Sequence, residues 1–431
     1  MKEKILASLK RLNIEEYMIN ISSYKSAQMF FVKKSLDSKR AENTKTYNVN
    51  VYRSFDKDGQ KMKGNASVYV YNGMTGEEID ASLSRAYLAA SFVCNPTYDL
   101  MECTENKLIT MESDLFNYTL EECCEKTAEA LFAEDIRSDV FVNSAEVFAY
   151  ETTVEITSST GIDSGYVKRW ISGEFVTQCK EPQDVETYQD FRYHNLDGES
   201  LKSKVRKTLE YTLERAKATQ APKAGKYRVI ISDSYVNDVF SYYSGRAQAG
   251  YIYAGYSTYE IGQNVQAVGA EGEFAEIKGD KVSMTLVPTE PLSGEGIWQK
   301  ERELLEDGVL KTYYGGLRFS RYLGIEPTGF YGCVNVAPGS MSVEDMKKQP
   351  YLWVVNFSDF QLDDFTGHFG GEIRLAFLYD GEKVTPVTGG SINGSIIDSQ
   401  TVMHFSKEIQ KSADFVGPYA MCFEDVPVAG A

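Results

Sequence analysis

A catalytic zinc ion needs clustered imidazole, thiolate or carboxylate ligands, commonly two histidines one helical turn apart so that both face the same ion. The 431-residue chain holds three histidines, His194, His368 and His404, widely separated and with no HExxH or similar pair. Three-histidine coordination would require all of them to converge in space, so surface or packing roles are the better reading of each. Phosphate chemistry has no firmer footing. GxxxxGK[ST] is missing, and the glycine-rich pieces at Gly315-Gly316, Gly370-Gly371 and Gly389-Gly390 lack the lysine or the strand-to-helix frame. A GxSxG nucleophile elbow is missing too, since Gly389-Gly390-Ser391-Ile392-Asn393 ends on asparagine. The seven cysteines form an odd, irregular set without a CxxC pair, which reads as reduced thiols filling the core.

Carboxylates and aromatic rings remain. Asp363 and Asp364 would point to opposite faces of a strand and would be solvated in a loop, which argues against a catalytic pair. An independent hydrolase built on acids such as Glu260 or Asp364 rests on nothing beyond their presence. The tyrosines Tyr251, Tyr253, Tyr256 and Tyr259 around Gly250 and Gly255 are a denser signal. Amphipathic rings line grooves that receive extended peptides, although sheet and core packing is their commoner use.

These residues must be positioned by a chain long enough for two or three compact units. Its 42% hydrophobic and 25% charged residues are ordinary globular composition, and 29 Tyr with 22 Phe favour strands. A net charge of −17 has the wrong sign for gripping nucleic acid. The apolar runs Leu88 to Cys94 and Ile373 to Tyr379 are too short to span a bilayer, and the charged amino terminus lacks a signal peptide's apolar stretch, so a cytoplasmic location is expected.

The first part reads as helix, strands, helix. Ile5, Leu9 and Leu12 share a helical face, Ser26 to Lys34 is a strand candidate, and Tyr47, Val49 and Val51 alternate ahead of Asp58-Gly59, with Ala66, Val68 and Val70 after it, as in a hairpin. Capping boxes at Thr75/Glu78 and Thr119/Glu122 open helices, the first of which should lie across the hairpin's apolar face. Residues 139–178 form a β-rich stretch turned at 160–163, and Leu201, Val205, Leu209 and Leu213 mark a helix to Ala216. Pro222 and Gly225 in the stretch 219–225 interrupt both periodicities, giving an expected boundary between residues 1–220 and 226–431. Beyond it come a strand at Tyr227 to Ile231, a helix through Val236, Val239, Phe240 and Tyr243, and strands near Lys281 to Val287, Tyr351 to Phe357 and Gly371 to Tyr379. The expectation is an α+β protein, with a sandwich-like first domain of hairpins and helices and a β-rich second domain, either barrel-like or a curved antiparallel sheet.

The order of short segments in the second part resembles a known family. Leu304-Leu305-Glu306-Asp307-Gly308-Val309-Leu310-Lys311 is similar to the (I/L)-E-D-G-x-L signature of the TldD/PmbA (TldE) family, once called modulators of DNA gyrase and grouped with metallopeptidases. Glu326-Pro327-Thr328-Gly329 comes next, then Asn335 to Gly339 ahead of the helix start Ser342-Val343-Glu344-Asp345. Further on come Asp364-Phe365-Thr366-Gly367-His368-Phe369, Asp380-Gly381-Glu382, Thr385-Pro386-Val387, Ile392-Asn393-Gly394 and Pro427-Val428-Ala429-Gly430. The resemblance runs from about Tyr227 to Ala431.

In the TldD branch, the resemblance implies, a helix carries a His-Glu-x-x-x-His zinc motif and a cysteine near the carboxy terminus completes the site. Matched on Gly262, the expected helix is Ser257 to Gln263, with Thr258 and Gln263 where the histidines would be and Tyr259 in place of the glutamate. Cys422 lies outside that branch's local pattern and takes no role. The chain thus resembles the PmbA/TldE branch, which lacks the motif and accompanies a zinc-bearing TldD-like subunit. That resemblance implies a catalytically inactive subunit without a metal or cofactor of its own, in a homodimer or a heterodimer, helping enclose a chamber for unfolded peptides. Tyr251, Tyr253 and Tyr256 are the candidate peptide groove. The alternative is a stand-alone homodimer that binds a peptide or small ligand without hydrolysis.

Overall fold

The computed structural model describes residues 1–269 and 272–430. In the first part, α1 (Lys2–Arg11) leads into β1 (Glu16–Val32), β2 (Ser35–Lys57) and β3 (Gln60–Val70), then α2 (Gly76–Ala90), the short β4 (Asn95–Pro96) and β5 (Leu108–Thr110), and α3 (Leu120–Phe132). The long hairpin β6 (Val140–Ser158) and β7 (Asp163–Cys179), β8 (Val185–Tyr193) and α4 (Gly198–Lys217) complete it. One sheet runs β4-β3-β2-β1-β6-β7-β5, with β8 also on β7. The Asp58-Gly59 turn has φ of 53° and 78°, the left-handed pair that a tight hairpin demands. Both capping boxes are formed, at Thr75/Glu78 and Thr119/Glu122.

Period-two alternation puts Ile19, Ile21, Tyr47, Val49 and Val51 on one face, where Ile5, Leu9, Ile79 and Leu83 of α1 and α2 bury them. Helices α3 and α4 cover the same side of β6 and β7 through Leu131, Leu201, Val205 and Leu209. The expected strand at Ser26 to Lys34 is the distal end of a 17-residue strand. The alternation of Ile19 and Ile21 with Asn20 and Ser22 at its start is cut short at Ser23, where a polar residue takes the next inward position.

The second part holds β9 (Gly225–Ser232), α5 (Ser234–Arg246), α6 (Ala249–Tyr253), β10 (Met284–Val287), β11 (Arg302–Glu306), β12 (Val309–Leu310), α7 (Leu317–Tyr322), β13 (Cys333–Val336) and α8 (Val343–Met346). It continues with β14 (Tyr351–Leu362), β15 (His368–Tyr379), β16 (Val384–Val387), β17 (Ser391–Ser395), α9 (Ile396–Ser399), β18 (His404–Phe405), β19 (Ile409–Lys411), β20 (Phe415–Pro418) and β21 (Ala420–Ala429). Strands β14, β9, β21, β17 and β15 close into a five-stranded barrel through the β14–β15 pairing. The barrel is not wholly antiparallel, because β9 runs parallel to β14. A second sheet, β12-β11-β10-β13-β20-β19, lies beside it, and α5 is buried in the core the two share, through Val236, Val239, Phe240 and Tyr243. None of the described helices is long and apolar enough to cross a membrane.

One expected helix is absent. Residues 257–260 are irregular and 261–263 form a turn. Gly255 and Gly262 have φ of 72° and 88°, and Gly262 N–H and Gln263 C=O bond to Leu310, so this backbone is tied to β12 and not to its own next turn.

The two parts are clamped where α4 meets the start of α5. Asp233 takes a strained φ of 63° and ψ of −141°, and its carboxylate accepts two 2.7 Å bonds from Lys207 Nζ, which also donates to Tyr419 OH at 2.6 Å. Such a backbone costs on the order of 1–3 kcal/mol and persists only when its surroundings hold it. Asp233→Ala keeps the strain and loses the pair; Asp233→Gly loses the pair and relieves the strain. The glycine variant is therefore expected to be the more stable by about 1 kcal/mol in urea denaturation.

Candidate functional site

Helix α5 ends at Arg246, and the backbone continues through Gln248, bridged to Tyr314, into the single turn of α6. Ala249 N–H donates to Tyr314 C=O at 2.7 Å, which fixes where α6 points. Tyr251 N–H bonds Gln248 C=O, and Tyr256 N–H returns to Tyr251 C=O at 2.9 Å, folding Tyr256 back over the helix turn. The β14–β15 connection arrives from the other side. Asp363 Oδ1 accepts the N–H groups of Phe365 and Thr366 at 2.8 Å each, and those bonds hold its carboxyl below the usual carboxylate range. The turn so formed presents Phe365.

Tyr251 and Phe365 lie nearly parallel, 5.4 Å between centroids and 11° apart, while Tyr256 stands edge-on to both at 6.1 and 5.5 Å. Tyr256 is 60% exposed and Phe365 49%, so the group is a surface shelf and not core. Arg246 underlies it, donating Nη1–H to Phe365 C=O at 2.9 Å and stacking over Tyr242 and Tyr259 at 5.4 and 5.0 Å. Its Nε is buried and has no hydrogen-bond partner. Asp364, against Gly245, has its carboxyl raised by burial and then by Asp363. The shelf can hold an apolar or extended chain.

The three groove candidates divide. Tyr251 and Tyr256 belong to the shelf, but Tyr253 turns to Phe319 and Tyr322 at 5.5 and 5.0 Å, and Tyr322 OH donates to Pro96 C=O in the first part of the chain. Of the positions matched to the zinc helix, Thr258 is exposed, Tyr259 is buried under Arg246, and Gln263 Oε1 accepts Glu260 N–H within the local turn. Neither α5 nor α6 contains a histidine or glutamate. Sequence reasoning missed Arg246 and set Phe365 aside with its acidic neighbours; the Asp-Phe-Thr-Gly turn signature was the available clue.

Among the described residues, no group of three or more His, Cys, Asp or Glu side chains is placed to share an ion. His194 sits at the end of β8, where burial and then Lys168 and Arg192 lower its pKa. His368 is exposed at the start of β15. His404 pairs in register with Cys422, but Cys422 Sγ accepts Arg228 Nε–H at 3.0 Å, and burial pushes its thiol up to about 11. His404 Nδ1 instead lies 3.5 Å from Asp280 Oδ2.

Asp280 is a structural anchor. Burial alone would raise its carboxyl, but the nearby His404, Phe405 N–H at 2.7 Å and Ser340 N–H at 3.1 Å bring it down to about 2. A carboxyl lowered on folding stabilises above its unfolded value, and the contribution is lost as pH falls from about 4 towards 2. The size is roughly 2 kcal/mol. Acid unfolding of Asp280→Asn is expected to show a correspondingly weaker pH dependence across that window.

Residues 224–430 match the PmbA/TldA metallopeptidase C-terminal domain. Three solved structures share the fold over the whole chain. The first, from Thermotoga maritima and described as a modulator of DNA gyrase, has TM-score 0.76 and 17% identity over 99% of each chain. The second, TldE from Thermococcus kodakarensis, has TM-score 0.75 and 15% identity over 100% of each. The third, from Bacteroides thetaiotaomicron and also described as a DNA gyrase modulator, has TM-score 0.73 and 15% identity over 100% of this chain and 99% of its own. No curated protein matches.

Proposed function

Because the chain belongs to the TldD/PmbA/TldE family, as its match over residues 224–430 states, we propose that it is the subunit of a TldD/TldE-type peptidase that carries no zinc motif. The observation that carries this reading is that the helices leading to the aromatic shelf, α5 and α6, hold neither histidine nor glutamate. In this reading a TldD-like partner supplies the metal and the activated water. This chain supplies a wall of the chamber, and Tyr251, Tyr256, Phe365 and Arg246 hold an unfolded peptide against it. The location proposed is the cytoplasm. Nothing in a net charge of −17 favours a DNA partner.

Reconstitution tests the proposal. A zinc-bearing family member from the same organism is expected to co-purify with this chain and to cleave unstructured peptides only in its presence. A partner that neither binds this chain nor needs it for cleavage would sink the idea. Within the active pair, Tyr256→Ala combined with Phe365→Ala is expected to raise KM about tenfold with kcat unchanged, the result of losing binding made equally in ground and transition states.

A further inference from the structure

A second cleft opens at the other end of α5, roughly 18 Å along the helix from the shelf by its rise per residue. It measures about 310 Å3 and lies on the seam between the two parts of the chain. Arg215 of α4 and Arg374 of β15 both line it, together with Ser234, Tyr235, Asn356 and Ser358. Tyr235 is fixed there, its OH accepting Phe357 N–H at 3.1 Å. Arg374 Nη2 donates to Ser358 Oγ at 2.8 Å and also pairs with Glu372 Oε2 at 3.1 Å. Arg215 spends one donor on Glu186 C=O and has no ion-pair partner among the described residues.

The two guanidiniums sense each other. Burial and then the charge of Arg374 lower the pKa of Arg215. Two acids, Glu186 and Asp190, also line the cleft; Glu186 Oε1 accepts Asn143 Nδ2–H at 3.1 Å, and neither carboxylate is ion-paired with Arg215 or Arg374. Forked donors, the hydroxyls of Ser234, Tyr235 and Ser358 and the Asn356 amide around one small volume match the lone pairs of an oxyanion. The first N–H groups of α5 add a field of the same sign, since Lys207 neutralises Asp233 at its start.

We propose that this cleft binds the oxyanion of a small ligand, a phosphate or a carboxylate, between Arg215 and Arg374. The site lies at the opposite end of α5 from the peptide shelf.

The test uses the full chain and isothermal titration with inorganic phosphate and with acetate, at constant ionic strength. Saturable binding in the millimolar range or tighter is expected. Arg215→Gln and Arg374→Gln should each weaken it about tenfold or more, and Arg374→Lys less, because it keeps the charge without the fork. Arg206→Gln, on an exposed face of α4, should leave it unchanged. Melting temperatures matching the parent show that each variant is folded, and Ser358→Ala gives a milder probe of the same wall. Tighter phosphate binding assigns a phosphoryl ligand, and tighter acetate binding assigns a carboxylate. Absence of saturable binding by either anion, or binding that survives both glutamine substitutions, overturns the proposal.

Discussion

Gln266→Leu is expected to destabilise the second part of the chain by about 4 kcal/mol, although it replaces a polar side chain with an apolar one in a fully buried position. Gln266 Nε2 donates to Asp280 C=O and Gln400 C=O at 2.8 Å each, and Oε1 accepts Val282 N–H at 2.9 Å. Three backbone groups from two segments thus depend on one amide. Leucine removes that amide and strands all three, at roughly 1–3 kcal/mol apiece, against a smaller gain from burying its own methyl groups. Gln400, 2% exposed, extends the network by donating to Val268 C=O and accepting Tyr243 O–H. Gln266→Glu should be worse, because its carboxylate would face two carbonyls. Urea denaturation followed by near-ultraviolet circular dichroism measures the loss, and a change below about 1 kcal/mol would mean that water replaces the amide.

That network explains what the Leu-Glu-Asp-Gly signature does. Asp307 and Gly308, at φ of 51° and 83°, make the tight turn between β11 and β12. Val265 N–H bonds Gly308 C=O, Asn264 Nδ2 bonds Asp307 C=O, and Ser283 Oγ accepts Asp307 N–H. A Cβ built on Gly308 would come within 2.6 Å of Asn264 Oδ1. The recognisable motif is a structural latch around the segment before Gln266, which is why the family was readable from residues that touch no candidate ligand.

Local signals carried the rest of what was legible. The Asp58-Gly59 hairpin, the capping boxes at Thr75 and Thr119 and the four-residue recurrence of Leu201 to Leu213 each involve neighbours in sequence, so propensity and periodicity expose them. Barrel closure has no such signal. β9 pairs with β14 and with β21, more than a hundred residues away along the chain, and nothing in Tyr227 to Ile231 specifies either partner. The full length of β2 was hidden for another reason: its stretch Ser35 to Thr46 pairs only with β1 and is largely exposed, so no apolar alternation marks it. The shelf was half visible. Tyr251 and Tyr256 are close in sequence, whereas Phe365 joins them from a turn over a hundred residues later. Ser257 to Gln263 misled because helical spacing was assumed between glycines that instead reverse the chain.

The Ile-Asn-Gly segment yields the sharpest packing test. Phe369 of β15 stands opposite Gly394 of β17 in register, 2% exposed, with Phe423 at 5.0 Å and Phe360 at 6.1 Å. An ideal Cβ on Gly394 would lie 2.2 Å from Phe369 Cζ, so the ring occupies the space the glycine leaves. Phe369→Ala is expected to cost about 3–5 kcal/mol by emptying the barrel interior. Gly394→Ala alone is expected to cost roughly 1–3 kcal/mol by forcing the ring off its rotamer. With the ring gone, the added methyl has somewhere to go and fills part of the cavity. The double variant should therefore be no less stable than Phe369→Ala, a coupling of about 2 kcal/mol. Simple additivity of the two losses in thermal or urea denaturation would show that Gly394 is required for its backbone and not for the ring above it.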